Sequence, residues 1–129
     1  MEHEKMGALV LDGSQRASLA ITRALGRAGI KVAVGESFQP TLAASSKYCH
    51  SSVTYASPIS DPAQFEADII KKVKTGCYQT IIPVTDVTLV LISRMRTALS
   101  HYAQLVIPEK ETIEASLDKM GVCRLAKEL

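Results

Sequence analysis

Short apolar runs alternate along this chain with longer stretches of helical period. The first run, Ala8-Leu9-Val10-Leu11, is continuous, as a strand covered on both faces should be. It stops at Asp12-Gly13-Ser14, a turn cluster in which Asp12 and Ser14 are both candidate helix N-caps. Ala17, Ala20, Ile21, Ala24, Leu25 and Ala28 then fall on one helical stripe, which predicts an alanine-rich face packed close against the sheet. Arg16, Arg23 and Arg27 lie off that stripe, and Gly29 supplies a stop. A second strand is expected over 31–34, ending at Gly35-Glu36. The polar stretch 39–47 has room for one helical turn at Leu42, Ala43 and Ala44. Residues 52–55 alternate and read as a short strand near a sheet edge.

Asp61-Pro62 gives an N-cap followed by proline at the first helical position. Phe65, Ile69, Ile70 and Val73 form the buried face of that helix, and Gly76 ends it. A fourth strand is expected over 80–84, with Pro83 tolerable only because it comes late. Thr85-Asp86 opens a helix carrying Val87, Leu89, Val90, Leu91, Ile92, Met95 and Leu99, and a fifth strand over 104–107 stops at Pro108. A short helix is expected over 109–117. Asp118 starts another helical segment, with Met120, Cys123, Ala126 and Leu129 as its stripe. That stripe is still arriving at Leu129, as expected of a chain that runs on into a further domain. Strands alternating with helices predict an α/β fold: three layers, α/β/α, Rossmann-like, with a mostly parallel sheet of about five strands.

The composition fits one globular domain. The 129 residues are 47% hydrophobic and 22% charged, too apolar for disorder and long enough for a core without staples. Fifteen Lys and Arg against 13 Asp and Glu leave a formal charge of +2, too weak an electrostatic footprint for nucleic acid. The three cysteines, Cys49, Cys77 and Cys123, match no zinc spacing and read as reduced thiols. The apolar run 6–11 is too short for a signal peptide core or a membrane span, so a cytoplasmic location, with no membrane and no nucleic-acid partner, is the expectation.

In an open parallel sheet, ligands bind beyond the carboxyl ends of the strands, so the turns at 12–16, 35–36, 56–57 and 85–86 are where chemistry is sought. The first turn has only Gly13 where a dinucleotide fingerprint needs three glycines, and Asp12 has the wrong charge for a pyrophosphate. Glu36 stands where a ribose-binding acid could stand. There is no P-loop, and Asp12 lacks the acidic neighbours of a receiver domain. His3, His50 and His101 lie in the tail, a loop and a helix end, and no cysteine has a base nearby in sequence. Asp12, Ser14, Thr85 and Asp86 each also have a structural reading as N-caps. Arg16 is the least explained, because a cation in a first helical turn opposes the helix dipole. It can meet a substrate carboxylate, an interdomain acid, solvent or Asp12.

Several segments belong together: Leu11-Asp12-Gly13-Ser14-Gln15-Arg16-Ala17-Ser18-Leu19-Ala20, Arg23 to Gly29, Ala43-Ala44-Ser45-Ser46-Lys47-Tyr48 and Ser57-Pro58 with Asp61-Pro62 and Phe65. Ile81-Ile82-Pro83-Val84-Thr85-Asp86, Leu117-Asp118-Lys119 and Cys123 to Leu129 complete the set. Taken in order, they resemble the opening of ATP-grasp ligases of the carbamoyl-phosphate-synthase-like, carboxylate–amine type. The resemblance covers nearly the whole chain after Met6.

It implies a pre-ATP-grasp domain over 1–117, with 118–129 the truncated start of the ATP-grasp domain. In that family such a domain packs on the ATP-grasp domain and helps bind the acceptor. The complete enzymes use Mg-ATP to phosphorylate a carboxylate, releasing ADP, and an amine or other nucleophile attacks the acyl phosphate. The resemblance implies that Asp12, Ser14, Arg16, Thr85 and Asp86 face a small carboxylate or amine substrate. It also implies that Lys119, otherwise a solvated helix lysine, contacts nucleotide phosphate. The nucleotide clamp and the carboxylates that hold Mg²⁺ lie downstream in such proteins. The chain alone is therefore expected to be a non-catalytic piece of a ligase with negligible ATP affinity and no bound cofactor. The rival expectation is a stand-alone Rossmann-like module that binds a small ligand or nucleotide.

Overall fold

The computed structural model describes residues 6–76 and 78–107. Five strands form one parallel sheet: β1 (Met6–Val10), β2 (Val32–Glu36), β3 (Cys49–Thr54), β4 (Tyr78–Ile82) and β5 (Gln104–Leu105). Their spatial order is β3-β2-β1-β4-β5, so the first strand in sequence sits in the middle. β3 is an edge strand, as its alternation predicts, and Pro83 falls just past the end of β4, where its missing N–H costs no ladder bond.

The connecting helices are α1 (Arg16–Arg27), α2 (Pro62–Gly76), α3 (Asp86–Arg94) and the short α4 (Arg96–Leu99), with a 3₁₀ turn at Ala43–Ser45. The sheet separates two apolar clusters, as its pleat requires. Leu9, Leu11, Ala33, Val53 and Ile81 point to one side and pack with Phe65, Ile69 and Val73 of α2, Leu91 and Ile92 of α3, and Leu99 of α4. Val10, Val32 and Val34 point to the other side and pack with Ala43 and with Leu19, Ile21 and Leu25 of α1. The result is the expected three-layer, Rossmann-like α/β architecture, all parallel rather than mostly so.

The helix ends follow local chemistry. Pro62 is the first helical residue of α2, and the Asp61 carboxylate accepts from Gln64 N–H. At the far end of α1, Gly29 takes φ +84, Ile30 N–H reaches Leu25 C=O, and Gly29 N–H reaches Gly26 C=O. This is a Schellman close, which a left-handed glycine makes at little cost.

The orientation of α1 departs from the alanine stripe. Ser18 and Thr22 are its fully buried residues, while Ala17, Ala20, Ala24 and Ala28 face solvent. The physical reason lies in the hydroxyls. Ser18 Oγ donates to the carbonyls of Leu11 and Asp12 at 2.9 and 2.6 Å, and Thr22 Oγ1 donates to Ser18 C=O at 2.8 Å. With their polar atoms satisfied, these small side chains bury without penalty. Gly26 continues the same face, where any Cβ would meet Tyr48 Cβ at 2.4 Å. The helices expected over 109–117 and 119–129, the domain boundary at 117/118 and Lys119 lie outside the described residues.

Candidate functional site

The chain leaves β1 through α1 towards β2, and leaves β4 through α3 towards β5. The two exits diverge, so the carboxyl ends of β1 and β4 frame the switch-point crevice in which open α/β sheets take ligands. All five substrate-facing candidates sit on these two exits.

Asp12 is the centre of the arrangement. It is 5% exposed and has φ 59, a left-handed conformation that aspartate tolerates better than most residues. Its backbone N–H donates to the Tyr55 hydroxyl at 3.1 Å, and that hydroxyl donates to Gly35 C=O at 3.2 Å. Its carboxylate spans the crevice. Oδ2 accepts from Val84 N–H at 2.9 Å, Thr85 N–H at 2.8 Å and Thr88 Oγ1 at 2.5 Å. Asp12 is thus not the N-cap of α1. That position belongs to Gln15, which makes no side-chain cap.

Ser14 is not a cap either; it is tied to β2. The Glu36 carboxylate, 7% exposed, accepts through Oε2 from Ser14 N–H and Oγ at 3.2 and 2.8 Å. Through Oε1 it accepts from Ser37 N–H and Oγ at 2.8 and 3.3 Å. Gly13 fits between these anchors. Its N–H reaches Gly35 C=O, its C=O accepts from Ala43 N–H, and a Cβ there would lie 2.7 Å from Thr41 Oγ1 and from Val34 Cγ1. The turn over 12–15 is therefore held from both sides, by β4 through Asp12 and by β2 through Glu36.

Thr85 is the N-cap of α3, its hydroxyl accepting from Thr88 N–H at 3.3 Å, as the sequence leads one to expect. Asp86 and Arg16 are exposed on the first turns of α3 and α1. Arg16 makes no ion pair with any described residue; Asp12 faces α3 instead. Phe38, Leu42 and Ile59, on the loops of this same end, and Val87, in the first turn of α3, are large exposed apolar side chains. Burial pushes the Tyr55 phenol far above its ordinary range. Asp12 N–H opposes that shift, while the Asp12 and Glu36 carboxylates add to it.

Sequence patterns picked out Asp12, Ser14 and Thr85 but missed Tyr55 and Thr88, which complete the network. The signal available was weak: a tyrosine at the end of an edge strand and a threonine three residues after an N-cap. A separate open concavity of about 770 Å³ lies at the opposite end of the sheet, lined by Tyr78, Gln79, Arg96, His101 and Gln104 among others. It contains none of the candidate residues.

The described residues do not fit Mg-ATP. The β1–α1 turn has one glycine rather than a phosphate cradle, and the Asp12 and Glu36 carboxylates are engaged by the protein's own N–H and O–H groups. Among the described residues no group of three or more His, Cys, Asp and Glu could hold a metal ion, and no helix is long and apolar enough to cross a membrane.

No family model matches the chain, and no curated protein matches it. Among solved structures it is similar to glycinamide-RNase-transformylase T from Mycobacterium tuberculosis, with a TM-score of 0.64 and 18% identity. The likeness establishes the fold. It extends over 93% of this chain but only 34% of that one, so this chain spans about a third of the length of the protein it matches.

Proposed function

We propose that the chain is the N-terminal, substrate-side domain of an ATP-dependent carboxylate–amine ligase of the ATP-grasp type, without catalysis of its own. The observation that carries this reading is the way the strand exits divide their labour. Asp12, Ser14 and Thr85 are spent on shaping the two turns, while Arg16 and Asp86 stand exposed on either side of the crevice. That is an arrangement for holding a small substrate, not for transforming one, since no described group is paired as nucleophile and base. The similarity of almost the whole chain to a third of a longer transformylase supports the same reading, as does the ordered sequence resemblance to ATP-grasp ligases.

In this reading Arg16 meets an anionic group of the substrate and Asp86 a cationic one. Mg-ATP, the acyl phosphate chemistry and the phosphate contact of Lys119 belong to a downstream ATP-grasp domain packed against this one. The protein translated through its full reading frame should release ADP when given a carboxylate and an amine, and residues 1–129 alone should not. Arg16→Ala should raise KM for the substrate that contacts it by about tenfold or more, the loss of one charge-assisted hydrogen bond, with KM for ATP unchanged. Low-micromolar ATP affinity of residues 1–129, or an Arg16→Ala enzyme with unaltered substrate KM values, would overturn the reading.

A further inference from the structure

We propose that Asp12 is a built-in anion that closes the β1/β4 crevice to phosphate and carboxylate groups, and so determines the chemistry of what binds there. In open α/β sheets the switch point owes its affinity for anions to backbone N–H groups at the start of the helix that follows a strand. α3 is nine residues long and would offer such groups. Here the two amides that lead into α3 are already taken. Val84 N–H and Thr85 N–H both point at Asp12 Oδ2, within 2.9 Å, and the Thr88 hydroxyl adds a third bond to the same oxygen. Thr88 N–H, in the first turn of α3, is capped by Thr85 Oγ1.

The carboxylate is not free to withdraw. Asp12 is 5% exposed. Its N–H is fixed by Tyr55 and its C=O by Ser18, so its backbone cannot turn without breaking both bonds. An incoming anion would also find Glu36 buried under the other flank of the turn, its two oxygens engaged by Ser14 and Ser37. Two carboxylates beneath one turn repel a third negative charge. A ligand group that approaches Val84 and Thr85 between β1 and β4 is therefore neutral or cationic, a hydroxyl, an amide or an amine. Anionic groups are confined to the rim near Arg16. This holds whether or not the chain belongs to a ligase.

The test removes the internal anion and asks whether an external one takes its place. Glycine adopts φ 59 without strain, so Asp12→Gly keeps the turn and vacates the amides. Inorganic phosphate is titrated into uniformly ¹⁵N-labelled wild type and Asp12→Gly, following the Val84 and Thr85 amide resonances. The variant amides should shift and saturate, with phosphate affinity about tenfold or more above that of the wild type. The wild-type amides should stay unmoved over the same range. Asp12→Asn, which keeps a neutral oxygen against the same amides, should behave as the wild type does. Wild-type Val84 and Thr85 amides that titrate with phosphate would overturn the proposal, and so would a folded Asp12→Gly variant whose amides ignore it. Should Asp12→Gly lose its dispersed spectrum, Asp12→Ser replaces it with the same two expectations, and the wild-type arm can still refute the idea unaided.

Discussion

Replacing Tyr55 with phenylalanine deletes one oxygen from the centre of the network and little else. The ring is 3% exposed and packs edge-on against Phe65, with centroids 4.9 Å apart at 84°, and both features survive the change. Gly35 C=O keeps a partner, because Gly13 N–H also donates to it at 3.0 Å. Asp12 N–H does not: its bond is to the Tyr55 hydroxyl, and both residues are buried. Tyr55→Phe should therefore destabilise by about 1–3 kcal/mol, the cost of one orphaned buried donor. Urea unfolding at pH 7 should show it as a lower midpoint with unchanged slope.

A second signature comes with pH. Burial raises the Tyr55 pKa in the folded state above its unfolded value near 10. Native Tyr55 thus keeps its proton after the unfolded chain has begun to lose it, and its contribution to stability is intact below about pH 10 and lost above it. Between about pH 9 and 11 the wild type should lose about 1.4 kcal/mol more than Tyr55→Phe. Tyr78, raised in the same direction by burial, is common to both proteins and cancels. A variant as stable as the wild type at pH 7, or parallel stability curves above pH 10, would refute the reasoning.

Two further substitutions test the packing and a loop anchor. Gly26→Ala should gain helix propensity yet destabilise by about 1–3 kcal/mol in thermal or urea unfolding. The new methyl would sit 2.4 and 2.5 Å from Tyr48 Cβ and Cγ, atoms too near the backbone to yield; a variant of raised stability would contradict the α1 packing. The Asp68 carboxyl is held below its ordinary range by hydrogen bonds from the Gln64 side chain and from Ala56 N–H, assisted by Lys72 and Lys71. A lowered folded pKa gives stability that is present above the unfolded value and lost as pH falls through the folded one. The stability gap between wild type and Asp68→Asn should accordingly narrow on acidification from about pH 6 to pH 2, and a constant gap would show that the carboxylate anchors nothing.

The architecture was legible because strands buried on both faces read as unbroken apolar runs and because turn chemistry punctuates them. Leu9 to Leu11, Pro62 and Gly29 all sit where pattern and propensity put them. The face of α1 was not legible. Hydropathy ranks alanine above serine and threonine, but it cannot register carbonyls waiting at the end of β1 to accept from Ser18, or the carbonyl of Ser18 waiting for Thr22. The site was half legible for the same reason. Asp12, Ser14 and Thr85 stood out as candidate caps, a local role. The actual partners of Asp12 and Ser14 are nonlocal, at Thr85 and Glu36, and tertiary pairing of that kind leaves no mark in the spacing of residues. Only Thr85, whose partner Thr88 lies three residues away, could be placed from sequence alone.

The central place of β1 has a consequence for synthesis. The bond from Asp12 to Val84 joins residues 72 apart, and the whole β1–β4 pairing spans a comparable stretch. At about 5–20 residues per second, the ribosome needs roughly 4–14 s to deliver the second neighbour. Until α2 is made, late in that interval, Leu9 and Leu11 have neither β4 nor a helix of their own side to cover them. A half-made chain therefore displays the molecule's most apolar strand with one unsatisfied edge, the form in which a parallel-sheet protein is most open to capture by a chaperone or by another nascent copy.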